Sequence, residues 1–255
     1  MNKNFRRRLL QGDLLAGTMM TLKSPEIVEM MAGIGFDWLF LDAEHASYST
    51  GDLQALLQAA GPELACVARL AAGDEVSIKK ALDIGVDGII APQINSAENA
   101  EHVVRCAKYS PMGTRGVGIA RSNLYGLEFQ ESIKTANENI TVVVQAEHID
   151  AVKNIRSIVK VKGLDAVMVG PYDLSSSMGK LGQVDDPEVV GAIDEVTKAC
   201  HDAGVRLGIF GVSAEAVAPY IEKGFTLVFA GCDTLLLGQA AKDLLTDLRG
   251  IQPQA

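Results

Sequence analysis

The short apolar runs of this sequence contain no lysine. That excludes imine chemistry from an amine projecting off a strand. There is no P-loop signature and no G-x-G-x-x-G after the first run, so the usual backbone cradles for nucleotide phosphates are missing. No C-x-x-C pair occurs. The four cysteines, Cys66, Cys106, Cys200 and Cys232, are scattered, which argues against a disulfide or zinc framework and for small buried hydrophobes in a reduced compartment. Basic residues are the minority, Lys+Arg 23 against Asp+Glu 32 for a formal charge of −9, and aromatics make up only 5%. Nucleic acid and anionic membranes are therefore not expected as partners. No apolar run approaches the about 20 residues of a membrane span. Residues 1–10 begin like a signal n-region, but Gln11, Gly12 and Asp13 interrupt any apolar continuation, so a cytoplasmic location is expected.

What the chain does have is 48% hydrophobic residues in 255, enough for a sizeable core. Short apolar runs alternate with longer amphipathic stretches. The runs predict strands near 14–21, 37–43, 65–70, 88–93, 141–147, 166–170, 206–210 and 226–231. The stretches between them predict helices near 24–33, 51–60, 74–84, 97–108, 149–160, 186–203, 213–223 and 234–248. Eight β/α alternations predict an α/β fold, a single (β/α)8 TIM barrel over residues 1–255. The runs are continuously apolar, as strands covered on both faces should be. A weak repeat supports the alternation: Gly35, Gly85, Gly163 and Gly224 each stand shortly before a strand, positioned to end the preceding helix. Residues 109–140, rich in Gly, Ser, Asn and Arg, are too long for an ordinary connection and are expected to serve a site or an interface.

Barrel enzymes carry their sites at the C-terminal ends of the strands. In this sequence those ends hold Asp42, Glu44, His45, Arg69, Gln93, Gln145, Glu147, Asp173 and Phe210. Gln145 and Glu147 are two apart on one strand and should share a face. Glu147 either converges with Gln145 on the barrel mouth or simply begins the next helix, where an acid suits the dipole. Asp173 is either a helix N-cap or, with Glu147, part of a hard oxygen pocket suited to Mg²⁺ or Mn²⁺. His45 sits among acids that could orient it as a base. His102 and His201 fall on helices as surface residues, and His148 should point away from Glu147. Arg69 could pair with Asp42 or Glu44, or stabilise a developing enolate. Phe210 either shapes a pocket or fills the core.

These pieces, in this order, resemble the HpcH/HpaI family of metal-dependent pyruvate aldolases. The matching strings are FDWLFLDAEH at 36–45, Ala68 with Arg69, KALDIG at 80–85, GTRGVG at 113–118, VQAE at 144–147 and GPYDLS at 170–175. The resemblance implies a barrel whose last helix packs on a neighbour, in a hexamer. It implies a divalent ion (Mg²⁺ or Mn²⁺, with Co²⁺ as another option) held by Glu147 and Asp173. Gln145 and the backbone of Tyr172 and Asp173 would contact the oxo-acid, Arg69 would steady the enolate, and His45 would act as base with Asp83 tuning it. The departures are Ala46, Ser47, Tyr48 and Ser49 after the Glu-His pair, where Pro-Asn is common, Tyr172 in place of a small residue, and Gln93 with Ile94 in place of a methionine-containing stretch.

The implied activity is reversible cleavage of a 4-hydroxy-2-oxo acid to pyruvate, or hydroxypyruvate, and an aldehyde. Two other readings fit the same barrel: a lyase for CoA thioesters, which needs an adenine and pantetheine groove, and a non-catalytic barrel that binds 2-oxo acids.

Overall fold

The computed structural model describes residues 4–251; the first three residues of the basic start lie outside them. Eight parallel strands close into a barrel in sequence order: β1 (Leu15–Met20), β2 (Trp38–Asp42), β3 (Ala65–Arg69), β4 (Gly88–Ala91), β5 (Thr141–Ala146), β6 (Ala166–Val169), β7 (Arg206–Gly211) and β8 (Leu227–Cys232). Every expected strand is present to within two residues at each end.

The helices are α1 (Phe5–Gln11), α2 (Pro25–Ile34), α3 (Thr50–Ala60), α4 (Glu75–Ile84), α5 (Ala97–Ala107), α6 (Phe129–Asn139), α7 (Ile149–Ile158), α8 (Pro171–Ser177), α9 (Pro187–Ala203), α10 (Ala214–Glu222) and α11 (Asp233–Gly250). Two of them, α1 and α6, were not foreseen, and α8 was foreseen only as the helix that Asp173 would cap. The basic start is a helix whose Phe5 and Leu9, one turn apart, enter the bottom of the barrel core. The stretch 109–140 contains a 3₁₀ turn (Arg121–Gly126) and then α6. No helix among the described residues is long and apolar enough to cross a membrane.

The glycine repeat has a physical basis. Gly35, Gly85, Gly163 and Gly224 all adopt φ between 88° and 98°, the left-handed geometry that ends a helix turn. At three of the four sites the residue two positions on is an aspartate. Asp37 Oδ2 accepts the N–H of Ala16, Asp87 Oδ2 that of Cys66, and Asp165 Oδ2 that of Val142. Each carboxylate thus ties its own strand to the one before it at the barrel's lower rim. The fourth copy has Thr226 instead.

The barrel interior follows the strand period of two. Trp38, Phe40, Val67, Ile90, Val143, Met168, Leu227 and Phe229 all face inward and form one core, while the outward side chains pack beneath the helices. Trp38 fills the lower centre because β1 has a glycine opposite it; a Cβ on Gly17 would come within 2.7 Å of the indole Nε1. Continuing the same alternation upward brings Met19, Asp42, Arg69, Gln145, Glu147 and Phe210 to the upper mouth.

Candidate active site

Register places the first pair. Asp42 and Arg69 are partners across β2 and β3 at the last rung of both strands. The guanidinium forks onto the carboxylate, Nε donating to Oδ1 at 2.9 Å and Nη2 to Oδ2 at 2.8 Å. Its Nη1 lies 3.2 Å from Glu44 Oε2, and its Cζ lies 5.1 Å from the centre of the Phe40 ring. Asp42 Oδ1 also accepts the backbone N–H of Glu44 and of His45. One buried carboxylate therefore fixes both the cation and the turn that carries the imidazole. The paired reading of Arg69 holds, and the same guanidinium still lines the cavity at the mouth.

Glu147 does not begin a helix facing solvent. It is only 2% exposed. Its Oε1 accepts the N–H of Gln93 at 2.8 Å and its Oε2 accepts Gln145 Nε2. Gln93 makes that bond from a left-handed conformation, φ 54°, unusual for a residue with a side chain. The helix cap expected nearby is His148, whose Nδ1 accepts the N–H of Asp150. Burial pushes the Glu147 carboxyl up to about 7, and Glu44 and Asp173 push the same way, against the Gln93 N–H and Arg69.

Gly170 closes the wall. A Cβ there would lie 3.0 Å from Glu147 Cβ and 3.1 Å from its Oε2. Gly170, rather than Asp173, stands at the N-cap of α8, and Asp173 lies in its first turn, exposed at the cavity edge. Tyr172 lies beside it, 53% exposed. The N–H groups of this first turn have no partner within the helix.

His45, Arg69, Gln145, Tyr172, Asp173 and Phe210 thus border one cavity of about 190 Å³, together with Met19, Phe40, Met168 and Phe229. The His45 side chain is 70% exposed, its Nε2 lying 3.9 Å from Glu44 Oε2. Phe210 does both things expected of it, facing the cavity and packing on Phe229 at 5.0 Å. His102 and His201 are exposed on α5 and α9. All four cysteines are buried and unbridged.

Asp83 is not with the others. It lies in the last turn of α4, below the barrel, held by Arg115 Nη2 at 2.9 Å. Within one chain it does not meet His45. A buried lysine also exists that sequence reading passed over. Lys108 lies at the same lower end, donating to the carbonyls of Asn137 at 2.9 Å and Ile140 at 2.6 Å, and burial lowers it to about 8. It lines no part of the cavity, so the case against an imine stands.

Among the described residues no group of three or more His, Cys, Asp or Glu forms a metal cluster. The donors that are present still suit a hard cation. Glu147 is a buried carboxylate whose charge is disfavoured by burial and by two neighbouring acids. Beside it, Gln145 Oε1 is buried without a hydrogen-bond partner. A divalent ion held by Glu147 and Asp173 would relieve that charge.

Of these residues, sequence reading assigned no role to Gly170, Met19 or Met168, and it gave Gln93 no task beyond its place at a strand end. The period of two on β1 and β6 was the available signal for the methionines. Nothing local announced that Gln93 would turn its N–H toward Glu147.

The comparisons with known proteins agree with this geometry. The family model described as HpcH/HpaI aldolase/citrate lyase matches residues 16–240, which include every residue at the cavity. A hydroxypyruvate/pyruvate aldolase of Pseudomonas aeruginosa is 36% identical over 252 residues, 98% of this chain and 94% of its own. A 4-hydroxy-2-oxo-heptane-1,7-dioate aldolase of Escherichia coli is 36% identical over 247 residues, 96% of this chain and 94% of its own. Among solved structures, an HpcH/HpaI aldolase/citrate lyase family protein from Burkholderia cenocepacia J2315 superposes with a TM-score of 0.93 at 32% identity, covering 97% of this chain and 99% of that one. With likeness running the length of both sequence and barrel, this chain belongs to the HpcH/HpaI aldolase/citrate lyase family.

Proposed function

We propose that this protein is a divalent-metal-dependent aldolase, a carbon–carbon lyase that reversibly cleaves 4-hydroxy-2-oxo acids to pyruvate or hydroxypyruvate and an aldehyde. The observation that carries the reading is the meeting of a buried carboxylate, a guanidinium, an orphaned amide oxygen and an exposed imidazole at one barrel mouth. The relatives named above as aldolases support it.

Glu147 and Asp173 would hold the ion, Mg²⁺ or Mn²⁺, which when bound supplies Lewis-acid charge to the carboxylate and 2-oxo group of the substrate. The remaining chemistry belongs to side chains. Gln145 and the first N–H groups of α8 orient the oxo-acid. His45 takes the proton from the 4-hydroxyl. The C3–C4 bond then breaks, its electron pair passing to C3 and the 2-oxygen as an enolate, and the aldehyde departs. The Arg69 guanidinium, held in place by Asp42, faces that oxygen as charge develops on it. Protonation at C3 gives pyruvate. Asp42 is the positioning residue, and the role given to Asp83 requires that of a second copy of the chain, in a homo-oligomer. The reading keeps a cytoplasmic location, supported by cysteines that are all buried and unbridged.

The test is deuterium exchange at the pyruvate methyl group, followed by NMR. Exchange should stop on chelation and return with Mg²⁺ or Mn²⁺. Arg69→Ala should slow turnover by roughly 10²-fold, corresponding to about 3 kcal/mol. Full exchange by verified metal-free protein, or an Arg69→Ala variant within a few-fold of the parent, would defeat the reading.

A further inference from the structure

We infer that the aldehyde half of the substrate is neutral and apolar, with an aliphatic or aromatic tail and no second carboxylate. The inference rests on the aldolase reading above and narrows its substrate class. It departs from the diacid in the name of the E. coli relative.

The floor of the cavity is aromatic. The Phe40 and Phe229 rings stack with centres 4.4 Å apart, and Phe210 packs on Phe229 at 5.0 Å. Met19 and Met168 flank them, and a thioether yields readily to the shape of an apolar guest. Register makes this floor continuous: Met19 pairs with Phe40, and Phe210 with Phe229. Phe40, Phe229 and Met168 are almost fully buried, so the apolar surface that a hydrocarbon or phenyl tail would take from water is that of Met19 and Phe210, which are partly exposed.

Charge points the same way. Arg69 is the cavity's one lysine or arginine among the described residues. Two of its three nitrogens are bound to Asp42, and the third lies beside Glu44. The polar hollow next door, of about 340 Å³, is lined by Glu44, Gln93, Asn99 and His102 among others, with no lysine or arginine. Beyond the ion that Glu147 and Asp173 would hold, a carboxylate at the far end of the aldehyde would find Glu44 nearby and no cation to spare. An unpaired charge in such a place is costly.

The full-length protein with Mn²⁺ and pyruvate should be given hexanal, benzaldehyde and succinic semialdehyde separately. The neutral aldehydes should show kcat/KM higher by about tenfold or more, on the scale of a pocket that leaves a polar group unpaired. Tyr172→Lys and Met19→Lys, each placing a cation at the cavity, should shrink or reverse that ratio. Benzyl alcohol should also inhibit pyruvate methyl exchange at lower concentration than 4-hydroxybutanoate, which reads binding without carbon–carbon chemistry. Equal or better use of succinic semialdehyde by the parent protein, with methyl exchange intact, overturns this inference alone. No methyl exchange with any divalent ion overturns the aldolase reading and this inference with it.

Discussion

At Glu147, burial and neighbouring acids act in the same direction, and the result is a stability that depends on pH. The carboxyl is raised from 4.5 to about 7. The folded chain therefore keeps a proton that the unfolded chain gives up. This contribution is complete below about 4.5 and is lost as pH rises through about 7. In metal-stripped protein, stability against urea should fall across that window by up to about 3 kcal/mol more in the parent than in Glu147→Gln. Added Mn²⁺ should restore much of the loss in the parent only. Matching pH slopes in the two proteins would refute the assignment. Asp42 illustrates the other residue-scale point. Its acid was visible at a strand end, but its double duty to Arg69 and to the His45 turn depends on which atoms come within 3.3 Å.

At the scale of elements, the site is a set of strand ends and the short turns after them. Gly170 follows β6 so closely against Glu147 that a Cβ there would press on that side chain, which would have to give by a few tenths of an ångström. Gly170→Ala should fold, lose about 1–3 kcal/mol from overpacking, and bind Mn²⁺ at least tenfold more weakly by calorimetry. Affinity within a few-fold of the parent would show that the glycine is not keeping that space. The strands and eight helices were legible because the periods of 2 and 3.6 repeat through them and caps mark their ends. Ser49 with Asp52, for example, forms a full capping box at α3. The missed helices are short or weakly marked, although Gly12 ends α1 and Pro171 opens α8. α8 has only seven residues, three of them serine, and α6 begins after Glu128, which makes no side-chain cap. α6 is instead secured at its far end, where Lys108 donates to the carbonyls of Asn137 and Ile140. A cation suits that end of a helix.

For the whole molecule, the outlying element is α11. Every residue from Thr234 to Gly250 is exposed, and Leu235, Leu236, Leu237, Leu244, Leu245 and Leu248 are among them. A lone helix of this length is marginal in water and needs a surface to pack on. The expected surface is a second copy of the chain, consistent with the role proposed for Asp83 across a subunit contact. Light scattering behind a sizing column should give an oligomer. Leu237→Glu with Leu244→Glu should reduce it to a smaller species and lower activity together. A monomeric, fully active parent protein would remove both the oligomer and the role of Asp83.

The sequence by itself determined the alternation of strand and helix, the closed barrel it implies, and the rim on which the ionisable side chains collect. These follow from local periods, from glycines that end helices, and from a parallel topology that sends every strand end the same way. Only the tertiary structure decided which of those side chains meet. The rung shared by β2 and β3 joins Arg69 to Asp42, and the left-handed turn at Gln93 supplies an N–H to Glu147 from 54 residues away. The place of Asp83 at the opposite end, by contrast, already followed from the helix predicted over 74–84, because a returning helix runs antiparallel to its strand. Such meetings are set by closure of the barrel, a relation among all eight strands that no stretch of residues contains.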